Sequence, residues 1–229
     1  MSKPVDLEPV WDTQKQEPDK WAQKRRLADA MRLVIERLVP SNAPEDELRR
    51  AAEGLERYAE ALAAHPRLNY VQGFAESANA GDSSAFFDQS PMIGLANPLA
   101  PPILLARTGD RTAVGRVTFG SAYEGPPGCV HGGFVAAAFD EVLGFVQSLG
   151  GRPGMTGPLT VRYRSPTPLH TELDFDCTLT RMEGRKIFTE GHVTVDGRLC
   201  AEAEGIFVSL PVERFQALAA ERARREASS

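Results

Sequence analysis

The chain has 229 residues, 42% of them hydrophobic and 25% charged, and its net charge is −5. That composition suits an ordinary globular protein, long enough to bury a full core as one domain or as a domain with an appendage. The acidic balance argues against a nucleic-acid partner, no apolar stretch reaches the roughly 18 residues of a membrane span, and the start from Met1 to Asp6 lacks the apolar run of a signal peptide.

Residues 1–17 are polar. From about Asp19 the pattern is helical: Leu27, Met31, Leu33, Val34, Ile35 and Leu38 supply an apolar face, and Pro40 ends the helix. A second helix restarts near Glu45, with Leu48, Ala51, Ala52, Leu55, Tyr58, Ala59 and Leu62 at three- and four-residue spacing, and Pro66 closes it. Residues 1–65 therefore read as an N-terminal helical extension whose charges nearly balance. Residues 66–100 are rich in Gly, Ser, Asn, Asp and Pro and read as a connecting segment. Phe74, Phe86, Phe87, Met92 and Ile93 are too apolar for a free linker and are expected to drape over the next domain.

From about Ile103 the period becomes two. Ala113, Gly115, Val117 and Phe119 alternate with polar neighbours, which predicts a strand. A long apolar helix follows, opened by His131-Gly132-Gly133 and stopped by Gly150 and Gly151. Four more strands are expected. Leu159, Val161 and Tyr163 mark the first, Leu173 to Leu179 the second, Ile187 to Val195 the third, and Leu199, Ala201, Ala203, Gly205 and Phe207 the last, after the hairpin signal Asp196-Gly197. A helix apolar nearly all round must be buried, here by a sheet wrapping it. The expected architecture is α+β, with a domain over residues 101–211 and a charged C-terminal helix or tail over 212–229.

Chemistry concentrates at the start of the apolar helix. Glycines let a backbone approach a ligand closely, and a helix start offers free N–H groups. Asp140 lies nine residues after His131, in a run otherwise made of Ala, Val, Leu and Phe, and a carboxylate there needs partners or a task. The combination suggests a site that polarises a carbonyl with backbone N–H groups and attacks it with, or through, an acid. Glu141 is the rival acid, about 100° round the helix, and reads as a supporting or solvent-facing group. Cys129 invites a nucleophilic reading, but no orienting acid lies near it in sequence, so a small residue at a tight turn is the simpler account. Cys129, Cys177 and Cys200 show no ligand spacing with the histidines, so no metal is expected and they read as reduced thiols of a cytoplasmic protein.

Gly128-Cys129-Val130-His131-Gly132-Gly133, the acid Asp140, and the stretch from Met155, Thr156 and Gly157 through Pro166 and Pro168 together resemble a hotdog-fold acyl-CoA thioesterase. The likeness is nearest to the PaaI-type branch and its thioesterase-superfamily-member relatives, and covers roughly residues 90–210. It implies an antiparallel sheet of five or six strands around one long central helix, homodimeric or homotetrameric assembly, and hydrolysis of an acyl-CoA without metal or cofactor. It also implies that Asp140 is the catalytic carboxylate, that the Gly133 N–H polarises the thioester carbonyl, and that His131 and Thr156 belong to the site, with Gly132 beside the substrate. Arg162, Arg164, Arg185 and Lys186 become candidates for the phosphates of coenzyme A.

Gly133 and Asp140 are seven residues apart, hence on one helix face but separated by roughly 10 Å along the axis. A carbonyl needs its attacker and its N–H donor each within about 3 Å, so one helix can hardly supply both. The simplest arrangement pairs Gly133 of one subunit with Asp140 of another at a two-fold interface. Sequence does not separate a general-base from a nucleophilic Asp140. Two alternatives remain: a hotdog hydratase or dehydratase acting on the same thioesters, and a non-catalytic acyl-CoA sensor. The role of the N-terminal helices stays open between a DNA-binding appendage of such a sensor, which their balanced charge argues against, a partner-binding element and a lid over the acyl channel.

Overall fold

The alternating stretches resolve, in a computed structural model, into six antiparallel strands: β1 (Leu104–Arg107), β2 (Thr112–Thr118), β3 (Gly154–Tyr163), β4 (Glu172–Glu183), β5 (Lys186–Val195) and β6 (Arg198–Ser209). The structure describes residues 18–66, 88–152 and 154–209, together with Ala217, Glu221 and Arg224. Those last three are helical; the rest of the expected C-terminal helix, like Phe74, Phe86 and Phe87, lies outside the described residues. The helices are α1 (Pro18–Leu38), α2 (Glu45–Ala63) and α3 (Gly132–Ser148).

The strand order is β1-β2-β4-β5-β6-β3, and α3 lies against one face of the sheet. Ala138, Phe139, Val142, Leu143 and Val146 on α3 are fully buried against Leu173, Phe175 and Leu179 of β4, Ile187 and Val193 of β5, and Ala201, Ala203 and Phe207 of β6. The Phe139 and Phe175 rings meet edge to face at 5.2 Å. Each such large side chain contributes about 1.5–3 kcal/mol of burial, which holds a glycine-containing helix of modest intrinsic propensity. This is the hotdog arrangement: one long helix embraced by an antiparallel sheet.

Three details differ from the pattern in the sequence. β1 is a sixth strand, too short at four residues to show an alternation of its own. β3 begins at Gly154, two residues before Thr156, and its pairing with β6 slips between Thr156 and Leu159, around Pro158, which has no N–H to donate. In β6 the pairing passes from Val193–Ala201 to Thr194–Leu199, leaving Cys200 as an extra residue. That insertion reverses the alternation, so Cys200 is buried and Leu199 is exposed. The hairpin at Asp196 and Gly197 forms as expected, with φ of 48° and 77°.

α3 is not covered all round. Gly133 is exposed, and Ala136, Ala137, Asp140 and Gly144 keep partial exposure, so one side of the helix is open. β3 is an edge strand whose residues are mostly exposed, Met155 and Tyr163 among them.

The N-terminal helices also depart from expectation. Met31, Leu33, Val34 and Leu38 of the predicted apolar face are exposed. α1 docks instead through a polar stripe around buried Ala28. Arg25 donates to both carboxylate oxygens of Asp88, at 3.1 and 2.7 Å, Arg32 donates to the Leu95 and Asn97 carbonyls, and Glu36 accepts from the N–H and hydroxyl of Ser121 at 2.8 Å each. The segment after residue 88 presents buried polar groups that need partners, and α1 supplies them. As expected, Met92 and Ile93 of that segment lie in the core. α2 has no buried residue.

Candidate active site

His131 caps α3. Its extended backbone puts Nδ1 3.0 Å from the Gly133 N–H, which donates to it. A neutral imidazole accepting at Nδ1 carries its proton on Nε2. The preceding loop is held by backbone pairing. The His131 N–H donates to the Tyr123 carbonyl at 2.8 Å, and the Val130 N–H to that of Thr167 at 2.8 Å. Gly125 is required here, because a Cβ on it would sit 2.7 Å from the His131 Cα. Cys129 occupies a turn whose backbone bridges to Pro168.

Of the helix-start donors, the Gly132 N–H has no hydrogen-bond partner among the described residues, and the Gly133 N–H has only the imidazole. The Gly132 carbonyl accepts from the Tyr163 hydroxyl at 2.7 Å, which ties the helix start to the far end of β3. Period two along β3 turns Leu159, Val161 and Tyr163 toward α3, so this contact was readable in principle, but a tyrosine among arginines gave no specific signal.

Two turns along α3, the Thr156 hydroxyl donates to Asp140 Oδ1 at 2.8 Å. The structure thus brings together Asp140 and the threonine that the resemblance implied, one from the helix and one from the start of β3. Asp140 is partly exposed and Thr156 exposed, so the pair faces the open side of α3. Glu141 turns inward instead. Ser90 donates to its Oε2 at 3.3 Å, and burial raises its carboxyl pKa to about 7, the Ser90 bond opposing the rise and the charge of Asp140 adding to it. Ser90 sits in a Gly-, Ser- and Asn-rich stretch that carried no signal for it.

The four phosphate candidates divide. Arg162 and Arg164 lie on the sheet face away from α3, where Arg162 pairs with Glu204 at 2.6 Å and Arg164 with Glu202. Arg185 and Lys186 follow the turn at Gly184, at the end of the sheet where β3 starts, and Arg185 donates to the Ser209 carbonyl at 3.0 Å. His170 meets Ser121 and Glu36, and His192 lies 3.6 Å from Asp176, so both have local partners away from Asp140.

A profile of the thioesterase superfamily matches residues 127–201, the span from the capping loop to β6. A crystal structure described as a thioesterase superfamily protein is 34% identical and aligns over 87% of this chain and 96% of its own, with a TM-score of 0.72. The chain belongs to the thioesterase superfamily. Curated relatives include the acyl-coenzyme A thioesterase THEM4 of Xenopus laevis, 39% identical over 40% of this chain and 42% of that protein. Another is human acyl-coenzyme A thioesterase THEM5, 31% identical over 41% and 39%. This superfamily member therefore spans about two fifths of the length of the curated relatives it matches.

Proposed function

We propose that the protein hydrolyses an acyl-CoA thioester to the free acid and coenzyme A. The observation that carries the reading is the Asp140 carboxylate, held by the Thr156 hydroxyl at 2.8 Å on the open face of a largely apolar helix. In the general-base form, Asp140 takes a proton from water as the water oxygen attacks the carbonyl carbon. The C–S bond then breaks and the thiolate of coenzyme A leaves with a proton. In the nucleophilic form, Asp140 attacks the carbonyl carbon, the C–S bond breaks to expel the coenzyme A thiolate, and water then hydrolyses the mixed anhydride to the free acid and the Asp140 carboxylate. Thr156 orients the carboxylate in either case.

The developing oxyanion is assigned to the helix start, where the Gly133 N–H exchanges its bond to His131 Nδ1 for one to the carbonyl oxygen. The Gly132 N–H stands beside it, and the released imidazole orients the thioester. Because Gly133 and Asp140 are roughly 10 Å apart along one helix, the complete site is assigned to a homodimer, or to a homotetramer built from it, with each half-site completed by a second copy. The ten-residue edge strand β3 supports this reading, since an uncovered edge of that length is rarely left unpaired. Arg185 and Lys186 are the preferred contacts for the coenzyme A phosphates. Arg162 and Arg164 would reach a phosphate only by giving up their carboxylates.

The test is thiol release across an acyl-CoA chain-length series with Asp140→Asn as control. Turnover should fall at least about a hundredfold with acyl-CoA binding retained. Full activity in that variant would remove the mechanism, and a strictly monomeric active protein would remove the shared site.

A further inference from the structure

One peptide group, the link between Gly132 and Gly133, carries two of the contacts at the helix start. Its N–H is the donor assigned to the oxyanion, and its carbonyl accepts from the Tyr163 hydroxyl at 2.7 Å. A peptide is planar, so a bond that fixes the carbonyl also fixes where the N–H points. This plane lies between two glycines, where side chains restrain its tilt least. It is held at both ends, by Tyr163 at the oxygen and by His131 Nδ1, 3.0 Å away, at the nitrogen. Once a thioester carbonyl takes the place of His131, Tyr163 is the side-chain restraint that stays, among the described residues.

Tyr163 is the last residue of β3 and is 54% exposed, so water could satisfy its hydroxyl without any contact to α3. It comes this close because residue 132 has no side chain. A Cβ there would stand 3.2 Å from the Tyr163 hydroxyl oxygen and 3.3 Å from its Cζ. Seven residues earlier the same strand places the Thr156 hydroxyl on Asp140. β3 thus reaches the acid and the helix start, each through one hydroxyl.

We propose that Tyr163 is a positioning residue for the hydrolysis: its hydroxyl locks the Gly132–Gly133 peptide and, by drawing charge toward the carbonyl oxygen, strengthens the Gly133 N–H as donor to the oxyanion. This assignment rests on the thioesterase reading, with the Gly133 N–H as that donor.

Tyr163→Phe keeps the ring and removes the hydroxyl. In thiol release its kcat should fall about tenfold, with KM within about twofold of the parent. Binding of an S-alkyl-CoA, a thioether with no carbonyl to polarise, should be unchanged. Difluorotyrosine at position 163 keeps the parent's shape and hydroxyl, and its phenol ionises near neutral pH, well below ordinary tyrosine. A phenolate cannot donate, so the ratio of its kcat to the parent's should fall about tenfold as pH rises through that ionisation. An undiminished kcat in Tyr163→Phe, or a ratio flat with pH for difluorotyrosine, would overturn the proposal. Weaker thioether binding with kcat intact would overturn it too, making Tyr163 a wall of the substrate pocket. Absence of turnover by the parent with every thioester would instead overturn the hydrolytic reading, and this assignment with it.

Discussion

Glu141 gives the sharpest test of how the site is built, because its carboxyl lies inside the molecule beside Asp140, the proposed reacting acid. Burial raises its pKa from 4.5 to about 7, against a hydrogen bond from Ser90 and with help from the Asp140 charge. The folded state therefore holds this proton more tightly than the unfolded chain does. The contribution is fully favourable below pH 4.5, and stability is lost as pH rises through 7. A displacement of that size corresponds to about 3 kcal/mol if the group were wholly dry. Part of the residue still reaches solvent, so about 2 kcal/mol is the expected loss by pH 8.5. Glu141→Gln keeps the shape and the Ser90 contact but cannot ionise. Urea denaturation at pH 4, 5.5 and 8.5 should show the variant similar to the parent at the lowest pH and about 2 kcal/mol more stable at the highest, with most of the divergence complete by pH 7. Parallel curves for the two proteins across that range would refute the buried-acid account, and a variant less stable at pH 8.5 would show that the ionised carboxylate is the favoured form.

Thr156→Val removes the hydroxyl from Asp140 Oδ1 without emptying the position, and a hydrogen bond to a charged group is worth about 1.5–3 kcal/mol. kcat/KM should drop about tenfold to a hundredfold, more steeply than any fall in the folded fraction explains, and undiminished turnover would detach Thr156 from the chemistry. Gly125→Ala forces a Cβ to within 2.7 Å of the His131 Cα, so the capping loop must shift. Stability should fall by about 1–3 kcal/mol and thiol release more steeply than the folded fraction explains. Glu36→Ala withdraws both acceptors from Ser121, and a loss of about 1–2 kcal/mol in chemical denaturation is expected.

The sequence was most legible where one physical rule acted alone. Period two located β2, β4, β5 and β6, because each buries one face and exposes the other. The glycines and capping histidine before an apolar run located α3 and its start. Asp140 stood out because it interrupts that run, and Thr156, which the family resemblance implied, meets it in a hydrogen bond. Legibility failed where tertiary context overrode local pattern. Residue Cys200 is an insertion in β6 that no alternation could reveal, and it moved Leu199 to the surface. Glu141 was read as supporting or solvent-facing, and only its contact with Ser90, 51 residues away, shows that it points inward. The arginines of β3 were attractive as phosphate contacts until their partners Glu202 and Glu204 became visible on the neighbouring strand.

The N-terminal extension shows the same limit, and it changes what α1 is for. Its apolar residues invited a buried hydrophobic face, yet Arg25, Arg32 and Glu36 make the contacts. Each contact ends on a segment that supports the site. Asp88, gripped by Arg25, stands two residues before Ser90, the partner of Glu141. Arg32 holds the Leu95 and Asn97 carbonyls, and close by Leu99 accepts from the hydroxyl of Tyr123. Glu36 fixes Ser121, the first residue of the turn whose Tyr123 carbonyl receives the His131 N–H. Removing the guanidinium would take a charge-assisted pair from the fully buried Asp88 carboxylate, a loss of about 1.5–3 kcal/mol. A chain beginning at residue 66 would lose all three contacts at once, and with them the support of both the histidine cap and Glu141. α2 makes no buried contact and presents Leu48, Leu55, Tyr58 and Leu62 outward. The two helices, alike in sequence pattern, thus divide in their contacts: α1 packs on the segments that flank the candidate site, and α2 buries no residue.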